Sequence, residues 1–311
     1  MIQIVTKVLT IPNDETIGYR EAGTGGRTVL LIHGNMTSSK HWDILMSALP
    51  HGYHLLAVDL RGFGTSSYHN RIESIQDFSE DVAQFATCLD LNSFSMIGWS
   101  LGGAVAMQFA IDHGEKVEKL VLIESIGLQG YPVLRKDGLG QPIAGEFLTT
   151  RDELARDPNI AATARAIEEE DRAYLRRLWD LLIYTHNRPE EKKYEEYLDD
   201  ILTQRNTVDV AYACTRFNIS RENNGVVDGD GSVSKIHTPT LVIHGDRDAV
   251  VPLETAREIA RGINGGRTRL EVLEDSGHSP LIDNLEGLVG LIAGFLGDGS
   301  MTNEKGREYR A

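Results

Sequence analysis

Short, nearly continuous apolar runs, each separated from the next by a segment of helical periodicity, set the strongest limit on what this chain can fold into. From Thr28 onward they are Val29 to Ile32, Leu55 to Val58, Ser95 to Ile97 and Leu120 to Ile123, and the pattern resumes at Thr240 to Ile243 and Leu270 to Leu273. A strand that is apolar at almost every position has to be covered on both faces, which is the condition of a parallel sheet between helical layers. Ile2 to Leu9 and Thr16 to Glu21 alternate instead, with Pro12-Asn13-Asp14 between them. An antiparallel hairpin at the sheet edge is expected there.

Between about Gly127 and Lys235 the strand rhythm stops and helical segments take over. Ala161 to Tyr184 carries Leu175, Leu178, Trp179 and Leu182 on one face, and Glu190 to Leu202 follows. The pattern predicts an α/β core, residues 1–126 and 236–297, into which a helical cap, residues 127–235, is inserted. The Gly- and Asp-rich stretch from Asn223 to Ser234 reads as the linker back to the sheet, and the polar residues 298–311 as a flexible tail. At 311 residues, one core domain with an insertion is as natural as two domains.

Gly98-Trp99-Ser100-Leu101-Gly102-Gly103 follows the run Ser95 to Ile97 and precedes a helical segment, Ala104 to Ile111, that should stop near Gly114. This is the strand, sharp turn and helix that a G-x-S-x-G nucleophile requires. The turn leaves no room for side chains on either flank of the serine, hence Gly98 and Gly102. A serine hydroxyl is a weak nucleophile and needs a base oriented by an acid. Asp248, in His244-Gly245-Asp246-Arg247-Asp248 after the run Thr240 to Ile243, is the expected acid in preference to Asp246. His278, in Glu274-Asp275-Ser276-Gly277-His278 after the last run, is the expected base, and the chain order Ser, Asp, His suits a parallel sheet.

The oxyanion formed on attack needs two N–H donors. Leu101 is expected to supply one and Asn35, in His33-Gly34-Asn35-Met36, the other, with Met36 the next choice. His33, Met36, Trp99 and Trp179 are the candidate substrate-side residues, with His33 read first as a residue that fixes its own loop. Of Trp179, Tyr184, Tyr194, Tyr197, Tyr212 and Phe217, most are expected to form cap core and a minority to line a pocket. Glu124, at the end of Leu122-Ile123-Glu124, stands where a carboxylate could serve a triad, but a structural or substrate-side role is preferred. Asp59 and Arg61 are expected to pair and hold the turns of Asp59 to Gly64.

A formal net charge of −15 makes nucleic acid and anionic lipid poor partners, and 41% hydrophobic with 25% charged residues is an ordinary globular balance. Two cysteines, Cys88 and Cys214, form no framework or CxxC pattern, so two buried, reduced thiols are expected. Asp228-Gly229-Asp230-Gly231-Ser232 fails as a calcium loop, because its sixth position is Val233 and its twelfth Pro239. No metal or organic cofactor is called for. Without a leader pattern or a run of membrane-spanning length, the expectation is a cytoplasmic protein acting on a small or oligomeric ester, with oligomeric state open.

Taken together, His33-Gly34, Asp59 to Gly64, Gly98 to Gly103, Gly245 to Asp248 and Gly277-His278 resemble the α/β-hydrolase superfamily over nearly all of residues 1–297. The resemblance implies that fold, with a mostly parallel eight-stranded sheet. Ser100 speaks against the related haloalkane dehalogenases and epoxide hydrolases, which carry Asp at that position. More narrowly, the stretch from His33 to Asp43 together with Gly98 to Gly103 looks like the Bacillus-type intracellular poly(3-hydroxybutyrate) depolymerases. That resemblance implies hydrolysis of a storage polyester or its oligomers. A lactonase of the acyl-homoserine lactone type is the close alternative. Carbon–carbon bond hydrolase, perhydrolase and non-catalytic ligand receptor are more distant ones.

Overall fold

The computed structural model describes residues 2–263 and 268–297, so the expected tail lies outside the described residues. Among the described residues ten strands form: β1 (Ile4–Thr10), β2 (Thr16–Ala22), β3 (Arg27–Ile32), β4 (Tyr53–Val58), β5 (Phe94–Trp99), β6 (Val117–Ile123), β7 (Leu134–Lys136), β8 (Pro142–Phe147), β9 (Thr240–Gly245) and β10 (Thr268–Leu273). Eight of them make one sheet in the order β1-β2-β4-β3-β5-β6-β9-β10. The pairs from β4 through β10 are parallel, while β1–β2 and β2–β4 are antiparallel, so the hairpin expected at the edge is there.

Every residue of β5 and β9 is buried, and in β3, β4 and β6 the last four are. Two apolar layers account for this. One face of the sheet packs on α2 (Ile75–Cys88), α3 (Leu101–Asp112) and α9 (Leu253–Gly262), through Phe78, Phe85, Val105, Phe109 and Ile259. The other packs on α1 (Asp43–Ala48), α10 (Pro280–Asp283) and α11 (Leu285–Leu296), through Leu45, Leu281, Leu288 and Ile292. Cys214 is buried as expected, but Cys88, at the solvent side of the end of α2, is exposed. Among the described residues no helix is long and apolar enough to cross a membrane.

Between β6 and β9 the chain forms α4 (Arg151–Arg156), α5 (Pro158–Glu168), α6 (Arg172–Leu182), α7 (Glu191–Ile201) and α8 (Thr207–Arg216). Two features of this segment differ from the periodicity. The hairpin β7–β8 precedes the helices; its residues are exposed or half-buried, so no apolar run marks it. The stretch from Ala161 to Tyr184 is two helices rather than one. Glu170 breaks it at φ 54°, and the Asp171 carboxylate then caps α6 by accepting the Tyr174 N–H at 2.9 Å.

Candidate active site

In the sheet, β3 leads on to β4 on one side and β5 to β6 on the other, so the loops leaving the C-terminal ends of β3 and β5 diverge. A crevice at such a reversal is where open parallel sheets build their sites. Ser100 stands in the turn after β5 at φ 55° and ψ −116°, a conformation a non-glycine residue adopts only under constraint. The flanking glycines explain how the turn closes. A Cβ on Gly98 would lie 2.3 Å from the Gly102 carbonyl oxygen, and one on Gly102 would lie 2.1 Å from that of Ile32. The Ser100 N–H donates to the Ile123 carbonyl at 2.9 Å, and its carbonyl accepts from Gly103 and Ile126, which ties the turn to β6.

Ser100, Asp248 and His278 meet at this end of the sheet. Ser100 Oγ lies 3.0 Å from His278 Nε2, and His278 Nδ1 lies 2.7 Å from Asp248 Oδ2. A carboxylate only accepts, so Nδ1 carries the imidazole proton and Nε2 is the bare base facing the serine hydroxyl. The other Asp248 oxygen accepts the N–H groups of Val250 at 2.7 Å and Val251 at 2.9 Å. Burial works to raise the pKa of Asp248, but the His278 N–H and the backbone amide outweigh it and hold the group below its ordinary value. Asp246, the rejected alternative, instead accepts from the Ser276 N–H at 3.3 Å. Ser100 is 9% exposed and His278 3%, so both residues are nearly shut off from solvent.

Leu101 opens α3, where an N–H has no carbonyl one turn back to donate to. The His33 to Met36 loop passes directly over the serine: a Cβ on Gly34 would lie 3.2 Å from that of Ser100. Met36 sits at φ 59°, half-buried, and the exposed Asn35 uses its side-chain oxygen to accept from Gln204 Nε2 at 2.9 Å. His33 does not line a pocket. It is fully buried, its Nε2 accepts the Leu60 N–H at 2.9 Å and its Nδ1 donates to the Gly34 carbonyl at 2.7 Å. Burial holds its pKa down, so it is a neutral brace for the loop, with no ring nitrogen left for a substrate.

Trp99 is likewise buried, and its indole N–H donates to the His278 carbonyl at 2.8 Å, fixing the backbone there. Trp179, on α6, packs against His41 and Tyr184. With Tyr197 stacked on His41 at 3.9 Å, these rings form an aromatic cluster linking α6 and α7 to Trp99. The expected Asp59–Arg61 pair does not form. Asp59 accepts N–H groups of Ser39 and Thr65, joining the turn to the β3 loop, while Arg61 pairs with Asp81.

Sequence reasoning gave no role to His41, Asp200, Gln204 or His244, because each acts through a partner distant in the chain. Asp200, on α7, accepts both the N–H and the hydroxyl of Ser38. Burial opposes its charge, but His41 and Ser38 hold its pKa below the usual carboxylate value. Lys193 of α7 bonds Asp43 at 2.8 Å and Tyr197 donates to the same carboxylate at 3.2 Å, so α7 is stapled to the first residue of α1.

A family model described as the alpha/beta hydrolase fold matches residues 27–285. The AB hydrolase superfamily protein YisY of Bacillus subtilis (strain 168) is 26% identical over 278 residues, covering 87% of this chain and 91% of its own. The 2-hydroxymuconate semialdehyde hydrolase of Pseudomonas sp. (strain CF600) is 26% identical over 280 residues, covering 88% of each. Among solved structures, an esterase from Exiguobacterium antarcticum superposes with a TM-score of 0.70 at 21% identity, over 94% of this chain and 99% of that one. With its sheet order, its diverging loops and a family model spanning most of its length, the chain belongs to the alpha/beta hydrolase fold family.

Proposed function

We propose that this protein hydrolyses carboxylic esters through an acyl-enzyme. The observation that carries the reading is the unbroken hydrogen-bond chain from Ser100 through His278 to Asp248. In the proposed sequence His278 takes the Ser100 proton as the oxygen attacks the ester carbonyl. The N–H groups of Leu101 and Asn35 hold the oxyanion, and the imidazolium, steadied by Asp248, returns its proton to the leaving alcohol. Water activated by the same imidazole then releases the acid. Every step uses groups of this chain.

Ser100→Ala should lower p-nitrophenyl butyrate hydrolysis by about 10⁴-fold or more while leaving the melting transition in place. Activity retained in that variant would remove Ser100 as nucleophile. Labelling by a fluorophosphonate probe separates an enzyme from a ligand receptor, since an unactivated serine does not react.

For the natural substrate we propose a 3-hydroxybutyrate polyester or its oligomers, or similar short-chain esters, on the strength of the His33 to Asp43 and Gly98 to Gly103 segments. A lactone needs the same machinery. A second reading, carbon–carbon bond hydrolysis, is favoured by relatives named 2-hydroxymuconate semialdehyde hydrolase and 2-hydroxy-6-oxononadienedioate hydrolase, at 26% and 25% identity. A panel of hydroxybutyrate oligomers, lactones and a vinylogous diketone acid decides among them. Absence of hydroxyacid release from the oligomers would remove the polyester reading, and turnover confined to the diketone acid would replace ester hydrolysis with carbon–carbon cleavage.

A further inference from the structure

Behind Asp248 lies a second buried pair of titratable groups that the ester mechanism does not use. Glu124 follows β6 and is fully buried, at φ 45°. Its Oε1 accepts the Gly245 N–H at 2.7 Å, bridging the ends of β6 and β9. Its Oε2 faces His244 Nδ1 at 3.1 Å, and neither atom has another partner among the described residues. The other nitrogen of His244, Nε2, is 2.9 Å from the Val251 carbonyl, which only accepts, so Nε2 carries a proton; burial lowers the ring's pKa and so favours the neutral form, in which Nδ1 is bare.

A carboxylate oxygen opposite a bare ring nitrogen is two acceptors without a proton. The same carboxyl also lies close to Asp248, where two carboxylates would repel. One oxygen each of Glu124 and Asp248 and a ring nitrogen of His278 all lie within 4.8 Å of one another. One proton resolves both conflicts. We propose that Glu124 is a neutral carboxylic acid that donates its proton within the Asp248 and His244 cluster, a positioning residue that holds Asp248 as the single negative charge beneath His278.

The remaining charged or titratable groups around the pair support this count. Asp283 adds negative potential at Glu124, and the Tyr131 phenol near Asp248 is kept protonated by burial. Burial first and the Asp248 charge second raise the Glu124 pKa, and burial lowers that of His244, so the shared proton rests on the carboxyl. The consequence for the reaction is electrostatic. A second anion within 4.8 Å of His278 would add to the attraction of Asp248 for a proton on the imidazole and so work against its role as base. A neutral Glu124 keeps the imidazole available as a base.

The inference rests on the Ser100, His278 and Asp248 reading for its catalytic meaning, though not for its proton. The test is Glu124→Gln, which retains a carbonyl for Gly245 and a donor for Asp248. The acid limb of kcat/KM against pH should stay within about 0.3 unit of the wild type, with kcat within about threefold. Glu124→Leu, which has no donor, should lose about tenfold or more in kcat. A fall of the acid limb by a unit or more in Glu124→Gln would overturn the proposal, since it would show that a negative charge had been removed. Infrared difference spectra at neutral pH read the proton without turnover: a protonated-carboxyl stretch should be present in the wild type and missing in Glu124→Gln. Its absence from the wild type would overturn the proposal even if Ser100→Ala behaves as expected, and failure of Ser100→Ala would leave that band unaffected.

Discussion

At the residue scale, two kinds of constraint meet around Ser100. Gly98 and Gly102 are set by space, because the chain on either side of the serine comes within a Cβ radius of other backbone. Glu124 is set by charge, and its protonation has a consequence for stability separate from catalysis. Its pKa in the folded protein lies well above the ordinary value of 4.5, so from about that pH upward the folded chain holds a proton that the unfolded chain has released. Stability of the wild type is therefore lost with rising pH through that window, by about 1.4 kcal/mol per pH unit, and Glu124→Gln escapes the loss. The stability of Glu124→Gln relative to wild type should rise between pH 5 and pH 7, read by denaturant titration at several pH values; a difference that stays flat would contradict the bound proton. The serine, histidine and both carboxylates are visible in the sequence. The proton is not, since it follows from which buried acceptors face each other.

Elements on both sides hold the loop after β3. Its backbone is held from below by His33 and Asp59 and from above by α7 and the residues just after it, through Asp200 on Ser38 and Gln204 on Asn35. An oxyanion donor displaced by even an ångström loses much of its effect on the transition state. Asp200→Ala, which strips Ser38 of its acceptor, should lower kcat by about 10-fold to 100-fold with a smaller change in KM, as measured on p-nitrophenyl butyrate. The same variant should cost about 1–3 kcal/mol of unfolding free energy for the buried donors left unpaired. An unchanged kcat would show that the cap helix covers the loop without holding it. The helical period of Glu190 to Leu202 announces α7, but 162 residues separate Ser38 from Asp200, and no local pattern encodes such a pairing.

For the whole molecule, the central strands act as a rigid anvil for the loops at their ends. Leu122 of β6 is fully buried in the layer beneath α3, one residue from the strand end that carries Glu124. Leu122→Ala should cost about 2–5 kcal/mol, the range for a cavity in a close-packed core, by urea unfolding monitored by circular dichroism. An effect below 1 kcal/mol would mean that the layers relax into the space. Trp99 shows the same coupling from the other face: it packs in the second layer and uses its indole N–H to hold the His278 backbone.

What the sequence by itself determined is what nearest neighbours dictate. Runs of buried apolar residues specify the strands, glycines around Ser100 specify the turn, and carboxylate and imidazole at strand ends specify which groups are available. The hairpin β7–β8 escaped it because half-exposed strands carry no burial signal, and the single helix read over Ala161 to Tyr184 ignored the polar Glu169-Glu170-Asp171 break. Only the tertiary structure decided the partners: Arg61 with Asp81 rather than Asp59, His33 with backbone rather than pocket, Glu124 with Asp248 and His244. Hydrogen bonds and protons are exchanged between atoms that packing brings within about 3 Å, and distance along the chain carries no information about that.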